Sequence, residues 1–178
     1  MIERDHLHVP AKLQDIERAT HELGFGLSSD PLTGAFLQTL VVSKGNGEIL
    51  ELGTGTGIGT AWLLAGLGSQ GQLTSVDGNE KTSSVARRFL GEDERVTFLL
   101  EDGATFIRGC QKQGRTFDLI FADMPPGKMS LLAETLSLLK QGGIYIVDDL
   151  NPQTKWDSEQ AGRVERFLKT IEKHTEMH

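Results

Sequence analysis

The chain has 178 residues, of which 38% are hydrophobic and 24% charged, a composition typical of one globular domain with a buried core. Its formal net charge of −7 argues against a large polyanionic partner such as nucleic acid, because such partners usually select a basic surface. Its one cysteine, Cys110, excludes an internal disulfide, and no segment has the apolar length of a signal peptide or a membrane span. We therefore expect a cytoplasmic protein.

The predicted elements begin with two amphipathic helices over residues 10–24 and 32–43, which form a helical cap within residues 1–45. Strands and helices then alternate through residues 46–178. The strands are predicted at 48–52, 72–77, 95–100, 117–123 and 144–149. The helices are predicted at 58–68, 80–91, 103–114, about 130–140 (ended by Gly142 and Gly143) and 159–174. This alternation indicates a single α/β domain over 1–178 with a doubly wound, Rossmann-like parallel sheet.

An acidic side chain stands at the end of every predicted strand. Ligands of open parallel sheets bind outside the carboxyl ends of the strands. The acids therefore predict a ligand rich in hydroxyl and amine donors, a metal ion, or both. They are Glu51, Asp77, Asp102, Asp123 and the pair Asp148–Asp149.

The turn after the first strand, in the segment LELGTGTGIG, has glycine at every second position. A phosphate-binding P-loop is excluded, because no glycine pair with the required spacing precedes Lys and Ser or Thr. The dinucleotide pattern G-x-G-x-x-G also fails, since Ile58 or Thr60 stands at its last position, and this argues against a nicotinamide-dependent oxidoreductase. The pattern that remains is acid-x-G-x-G-x-G beginning at Glu51. Its carboxylate would repel a pyrophosphate and attract a cationic amino acid group.

S-adenosylmethionine has the required character, since it carries an ammonium and a sulfonium group and no phosphate. Asp77 is placed to accept hydrogen bonds from ribose hydroxyls, and Asp102 from the adenine amino group. The segments LELGTGTGIGTAWL, TSVDGNE, LLEDGA, FDLIFAD and GGIYIVDDL resemble, in order, the motifs of class I S-adenosylmethionine-dependent methyltransferases over about residues 25–150. The predicted cofactor-binding residues are Glu51, Gly53, Thr54, Gly55, Asp77, Gly78, Asp102, Gly103, Ala104 and Asp123.

The fourth and fifth strand ends are predicted to face the methyl acceptor, because the cofactor occupies the ends of the first three. The segments FADMPPGKMS and IVDDLNP supply Asp123, Lys128, Asp148 and Asp149 there. Three carboxylates from adjacent strands form a hard-oxygen environment suited to Mg²⁺ or Ca²⁺. The alternative is that these acids bind the substrate or cap helices directly.

These two segments resemble the cation-dependent O-methyltransferases typified by the catechol and caffeoyl-coenzyme A enzymes. The resemblance implies that Asp123, Asp148 and Asp149 are the metal ligands and that Lys128 is the general base, so that Lys128 and Asp123 form the catalytic group. Asp149 stands where the family has asparagine, and Lys128 follows Asp123 by five residues rather than about three. The implied activity is O-methylation of a small hydroxylated, catechol-like molecule.

Two other functions stay open. One is a non-catalytic module that binds S-adenosylmethionine or S-adenosylhomocysteine. The other is an N-methyltransferase, because DMPPG partly matches an acid-Pro-Pro-aromatic motif, although Gly127 replaces the aromatic residue.

The sheet of this family normally ends with an antiparallel hairpin after the last helix, and the sequence leaves no room for it. Either the sequence is truncated or the fifth strand is an exposed edge, and an exposed edge favours a homodimer. Ser28, Ser29 and Thr33 are predicted to touch the cofactor or acceptor if their segment folds over the site. Trp156 is predicted to line an acceptor pocket.

Overall fold

The computed structural model describes residues 8–26, 29–150 and 158–173. Within these residues eight helices and five strands follow one another. In chain order they are α1 (Leu13–Glu22), α2 (Pro31–Val42), β1 (Glu48–Leu52), α3 (Ile58–Gly66), β2 (Gln72–Asp77), α4 (Glu80–Leu90), β3 (Val96–Leu100), α5 (Gly103–Gln113), β4 (Phe117–Ala122), α6 (Pro125–Lys128), α7 (Leu132–Leu136), β5 (Leu139–Val147) and α8 (Ser158–Ile171).

The five strands form one sheet in the order β3-β2-β1-β4-β5, and every neighbouring pair is parallel. The predicted doubly wound parallel sheet is confirmed. The strand order reverses between β1 and β4, so the carboxyl ends of these two strands form the crevice in which ligands of such sheets bind.

Both faces of the sheet are covered by helices, so the central strands are buried on both sides. In β1, Ile49 packs in one core cluster with Trp62 of α3 and Leu37 of α2. The adjacent Leu50 packs in a second cluster with Ile107 of α5 on the opposite face. This alternation places the Glu51 side chain on the α3 face of the sheet, where the glycine-rich loop begins.

The segment between β4 and β5 differs from its prediction. The helix expected at about 130–140 is reduced to α7, and β5 begins at Leu139 rather than at residue 144. Gly142 lies inside β5 with a φ of 74°, where the pairing with β4 shifts from Phe117↔Leu139 to Leu119↔Ile144. A bulge with positive φ suits glycine, so the two glycines form a break in the strand pairing and do not end a helix.

β5 is an edge strand in the part of the chain that the structure describes, and no strand lies beyond it there. The following helix α8 buries Val164 and Phe167. The homodimer expected from this edge stays a prediction. None of the described helices has the length and apolar character needed to cross a membrane.

Candidate cofactor and acceptor site

The loop after β1 (residues 53–57) has a backbone that requires glycine. Gly53 has a φ of 107°, a region that side chains other than glycine rarely adopt. A Cβ added at Gly53 would also lie 2.8 Å from the carbonyl oxygen of Asp123, because the loop passes directly beside the end of β4. The alternating glycines therefore allow the loop to turn sharply at the crevice between β1 and β4.

This loop forms one wall of a cavity, and half of the predicted cofactor residues line it. They are Glu51, Gly53, Thr54, Gly55 and Asp123. Ser29, predicted to touch the ligand, also lines the cavity. The sequence did not single out five further lining residues: Phe25, Thr56, Ile58, Gly59 and Phe121.

The Glu51 carboxyl group is fully buried at the base of this cavity. Its Oε2 accepts hydrogen bonds from Thr60 Oγ1 at 2.6 Å and from Ser75 Oγ at 2.5 Å. Burial raises the pKa of Glu51 to about 8 against the lowering effect of these two bonds, and the nearby charges of Asp123 and Asp77 raise it further.

The other oxygen of the same carboxyl group, Oε1, is buried and has no hydrogen-bond partner among the described residues. A Cβ at Gly59 would lie 2.8 Å from it, so the first turn of α3 packs closely on this oxygen only because residue 59 is glycine. A buried acceptor without a donor is costly, and a ligand ammonium group would supply that donor. Binding of the amino acid part of S-adenosylmethionine at Glu51 stays a prediction.

Asp77, at the end of β2, is hydrogen-bonded to the glycine loop. Its Oδ2 accepts the Gly55 N–H at 2.8 Å, and its Oδ1 accepts the Asn79 N–H at 2.8 Å. Each carboxylate oxygen can accept a second hydrogen bond. The side chain is half-buried, and Gly78 beside it is exposed, so ribose hydroxyls could approach from solvent.

Asp102 lies at the start of α5 as its N-cap. Its Oδ1 accepts the Thr105 N–H at 2.9 Å and the Thr105 hydroxyl at 3.0 Å, and these bonds hold the pKa of Asp102 below its usual value. Gly103 follows and is buried against Met124, and Ala104 lies in the same turn. Binding of the adenine amino group by Asp102 stays a prediction.

On the acceptor side, Lys128 and Asp123 form an ion pair with 3.3 Å between Nζ and Oδ1. Lys128 Nζ also donates to the backbone carbonyl oxygen of Asp148 at 3.2 Å, and its side chain is only 7% exposed. Burial raises the pKa of Asp123 to about 6, against the lowering effect of Lys128, and the charges of Asp148 and Asp149 add to the rise.

The turn formed by α6 points Lys128 toward Asp123. Gly127 has a φ of 102°, and a Cβ there would lie 2.5 Å from Leu52 Cδ1, so the turn packs tightly against β1. The Tyr145 hydroxyl of β5 donates to the Gly127 carbonyl oxygen. These contacts come from β1 and β5, the strands on either side of β4, and they explain how the lysine can reach an aspartate five residues earlier.

The three predicted metal ligands do not form a metal site. Asp148 Oδ1 accepts the N–H of Asp149 at 2.8 Å, and Asp149 has a φ of 61°. Asp123 is bonded to the Lys128 ammonium. Within residues 8–26, 29–150 and 158–173, no three His, Cys, Asp or Glu side chains lie close enough together to hold a metal ion. The residues present therefore do not fit a divalent cation.

The remaining predicted contacts have mixed outcomes. Thr33 donates its hydroxyl to Asp30 at 2.7 Å and so belongs to the N-cap of α2. Ser28 and Trp156 lie outside the described residues. Phe25 was not predicted, because only the fold of the cap brings its ring beside Gly55, where an added Cβ would lie 3.4 Å away.

Comparison with known proteins identifies the family to which the chain belongs. A family model described as a methyltransferase domain matches residues 50–150. A protein of Mycobacterium tuberculosis that carries the name probable O-methyltransferase is 32% identical over 135 residues, which are 74% of this chain and 59% of that protein. The chain thus spans less than two thirds of the length of the curated relatives it matches.

Solved structures show the same fold. An O-methyltransferase from Bacillus cereus in complex with S-adenosylhomocysteine is similar with a TM-score of 0.79 and 23% identity, over 91% of this chain and 79% of that one. The O-methyltransferase TomG from Streptomyces achromogenes, in complex with S-adenosylmethionine, is similar with a TM-score of 0.81 and 19% identity, over 97% and 87% of the two chains.

Proposed function

The chain belongs to the class I S-adenosylmethionine-dependent methyltransferases, and we propose that it transfers a methyl group from S-adenosylmethionine to a hydroxyl oxygen of a small molecule. One observation carries this proposal. Asp123 lines the glycine-loop cavity and is ion-paired with Lys128, so a pair able to handle a proton lies beside the cofactor cavity. The names of the similar proteins, which are O-methyltransferases, support oxygen as the acceptor atom.

The predicted cofactor residues would bind different parts of S-adenosylmethionine. Glu51 Oε1 would accept from the ammonium group, the loop backbone at Gly53 and Gly55 lets the ligand approach closely, and Asp77 would accept from the ribose. Phe25 covers the loop from the side of the helical cap. With the cofactor bound in this way, the sulfonium methyl group would face the ends of β4 and β5.

When bound, S-adenosylmethionine supplies an electrophilic methyl group, which passes to the acceptor oxygen as its bond to sulfur breaks. Lys128 and Asp123 would position the acceptor hydroxyl group and remove its proton. In the resting ion pair the carboxylate is the proton acceptor, so we assign the hydroxyl proton to Asp123 and the holding of the oxygen to Lys128. A Lys128 amine acting as the base, as the resemblance implies, is the alternative.

The proposed acceptor is a small hydroxylated, catechol-like molecule. Because the three aspartates do not fit a divalent cation, the proposal includes no step through a metal. An N-methyltransferase is less well supported, since Gly127 packs against Leu52 and places no aromatic ring beside the acceptor. A non-catalytic binding module would not need the ion pair between the buried Lys128 and Asp123.

The test is turnover with S-adenosylmethionine and a panel of phenols, catechols and amines, followed by mass spectrometry of both products. We expect S-adenosylhomocysteine and an O-methylated product, with the rate reduced roughly a hundredfold by Asp123→Asn. Asp118→Asn is a matched control, because Asp118 also pairs with a lysine, Lys140, but lies outside the cavity. Methylated amines alone, or cofactor binding without any product, would contradict the proposal.

A further inference from the structure

We infer that the Lys128 ammonium group stands in place of the divalent cation of the cation-dependent O-methyltransferases, so that this chain methylates single hydroxyl groups without a metal ion. The inference rests on the proposed O-methyl transfer. It adds which positive charge lies beside the acceptor oxygen and which class of substrate is methylated.

The first argument is the position of the ammonium group. Lys128 Nζ lies 3.3 Å from the Asp123 carboxylate and 3.2 Å from the Asp148 carbonyl oxygen, and thus between the ends of β4 and β5. Carboxylate and carbonyl oxygens from these two strands are the ligand types that Mg²⁺ or Ca²⁺ would take. In this chain a side-chain cation binds them.

The second argument is that Lys128 is fixed there. Its side chain is buried, and the turn that carries it is held by the Gly127 packing on Leu52 and by the Tyr145 hydroxyl bond. A divalent ion would have to displace this ammonium group or lie beside it against charge repulsion. The ammonium also supplies part of the compensation that the partly buried Asp123 charge requires.

The third argument concerns the acceptor. An ammonium group has three N–H donors, and two of them are engaged by Asp123 and Asp148. The remaining donor can hold one acceptor oxygen. A metal ion can bind two neighbouring hydroxyls at once, whereas this arrangement needs only one. The structure therefore assigns phenols or alcohols with a single hydroxyl to the substrate class, together with catechols.

The experiment has an activity arm and a binding arm, both on the full chain. In the first, methylation of a monohydric phenol and of catechol is measured with EDTA and with added Mg²⁺. We expect rates that agree within roughly twofold in the two conditions, and a loss of roughly a hundredfold in Lys128→Met, which keeps the aliphatic stem. Turnover of catechol alone, or a wild-type rate that collapses in EDTA, would overturn the inference.

In the binding arm, Mn²⁺ is titrated into the wild type, Lys128→Met and Lys128→Ala and followed by electron paramagnetic resonance. Removal of the ammonium should expose the three acids to the metal, so we expect at least roughly tenfold tighter Mn²⁺ binding in one or both variants than in the wild type. Lys140→Ala, which removes the lysine paired with Asp118, should bind Mn²⁺ like the wild type.

The two arms separate the inference from the proposed function. If no acceptor is turned over, the proposed function fails, and Mn²⁺ binding alone decides whether the ammonium occupies a cation position. Tight Mn²⁺ binding by the wild type, or no gain in either lysine variant, would overturn that position.

Discussion

The hydroxyl groups of Thr20 in α1 and Thr56 in the glycine loop are hydrogen-bonded to each other at 2.8 Å, and both residues are buried. The helical cap is therefore hydrogen-bonded directly to the loop that lines the predicted cofactor cavity. Phe25, which follows α1, lines the same cavity. The cap thus supplies one wall of this cavity and is not only a cover for the sheet.

Replacing Thr20 by valine keeps the shape of the side chain and removes this bond. We expect a loss of about 1 kcal/mol in the free energy of unfolding and S-adenosylhomocysteine binding weakened by up to roughly fivefold. Thr39→Val is the matched control, because the exposed Thr39 hydroxyl bonds only to Ala35 in its own helix. Equal effects of the two variants on binding would show that the link between cap and loop does not matter.

Gly53→Ala should disable the cavity. The added Cβ meets the Asp123 carbonyl oxygen at 2.8 Å and requires a φ of 107°, so we expect a loss of about 1–3 kcal/mol in stability and of detectable cofactor binding. Gly109→Ala in α5 has nothing within 4 Å of its new Cβ and should stabilise the protein by about 0.5–1 kcal/mol. Chemical denaturation and calorimetry measure both effects. Unchanged cofactor binding in Gly53→Ala would contradict the role assigned to the loop.

Glu51 should make stability fall as pH rises. Its pKa is raised from 4.5 to about 8, so the folded state keeps a proton that the unfolded state loses in this interval. The stabilising effect is complete below pH 4.5 and is lost as pH rises through 8. Relative to Glu51→Gln, the wild type should lose free energy of unfolding on the order of a few kcal/mol between pH 5 and 9. Urea unfolding at several pH values tests this, and parallel curves for the two proteins would refute it.

The ionisation of Asp123 should determine how kcat/KM rises with pH on the acidic side of the pH profile. Its pKa of about 6 means that the carboxylate forms, and can accept the acceptor's proton, as pH rises through 6. We expect kcat/KM to increase through that pH in the wild type and to stay low and flat in Asp123→Asn. A rise only well above pH 7, present in both proteins, would favour the Lys128 amine as the base.

The sequence was sufficient to predict the parallel sheet, because its alternating strands and helices carry strong local signals. It failed between residues 125 and 145. The apolar spacing there is compatible with a helix, but pairing of Phe117 with Leu139 extends β5, and Gly142 takes the bulge. The competition between local helix formation and sheet pairing is decided by tertiary contacts, which periodicity does not contain.

The candidate site, like the fold, could be predicted from the sequence only in part. The acids at the strand ends follow from the fold, and the positions of Glu51 and Asp123 beside one cavity agree with that rule. The bond from Lys128 to the Asp148 carbonyl oxygen depends on the conformation of the α6 turn, and the contact between Thr20 and Thr56 joins elements far apart in the chain. Residue types and spacing do not specify contacts of this kind.

The most direct test of the central claim is calorimetric titration of S-adenosylhomocysteine into the wild type, Asp77→Asn and Asp77→Ala, with each protein shown to be folded. Asp15→Ala is the control, because this aspartate pairs with Arg18 in α1, whereas Asp77 is bonded to Gly55 of the glycine loop. We predict binding to the wild type and to Asp15→Ala, and at least roughly tenfold weaker binding to Asp77→Ala, with Asp77→Asn in between. Equal affinity in all four proteins would contradict the role assigned to Asp77, and no binding to the folded wild type would contradict the assignment of this site to S-adenosylmethionine.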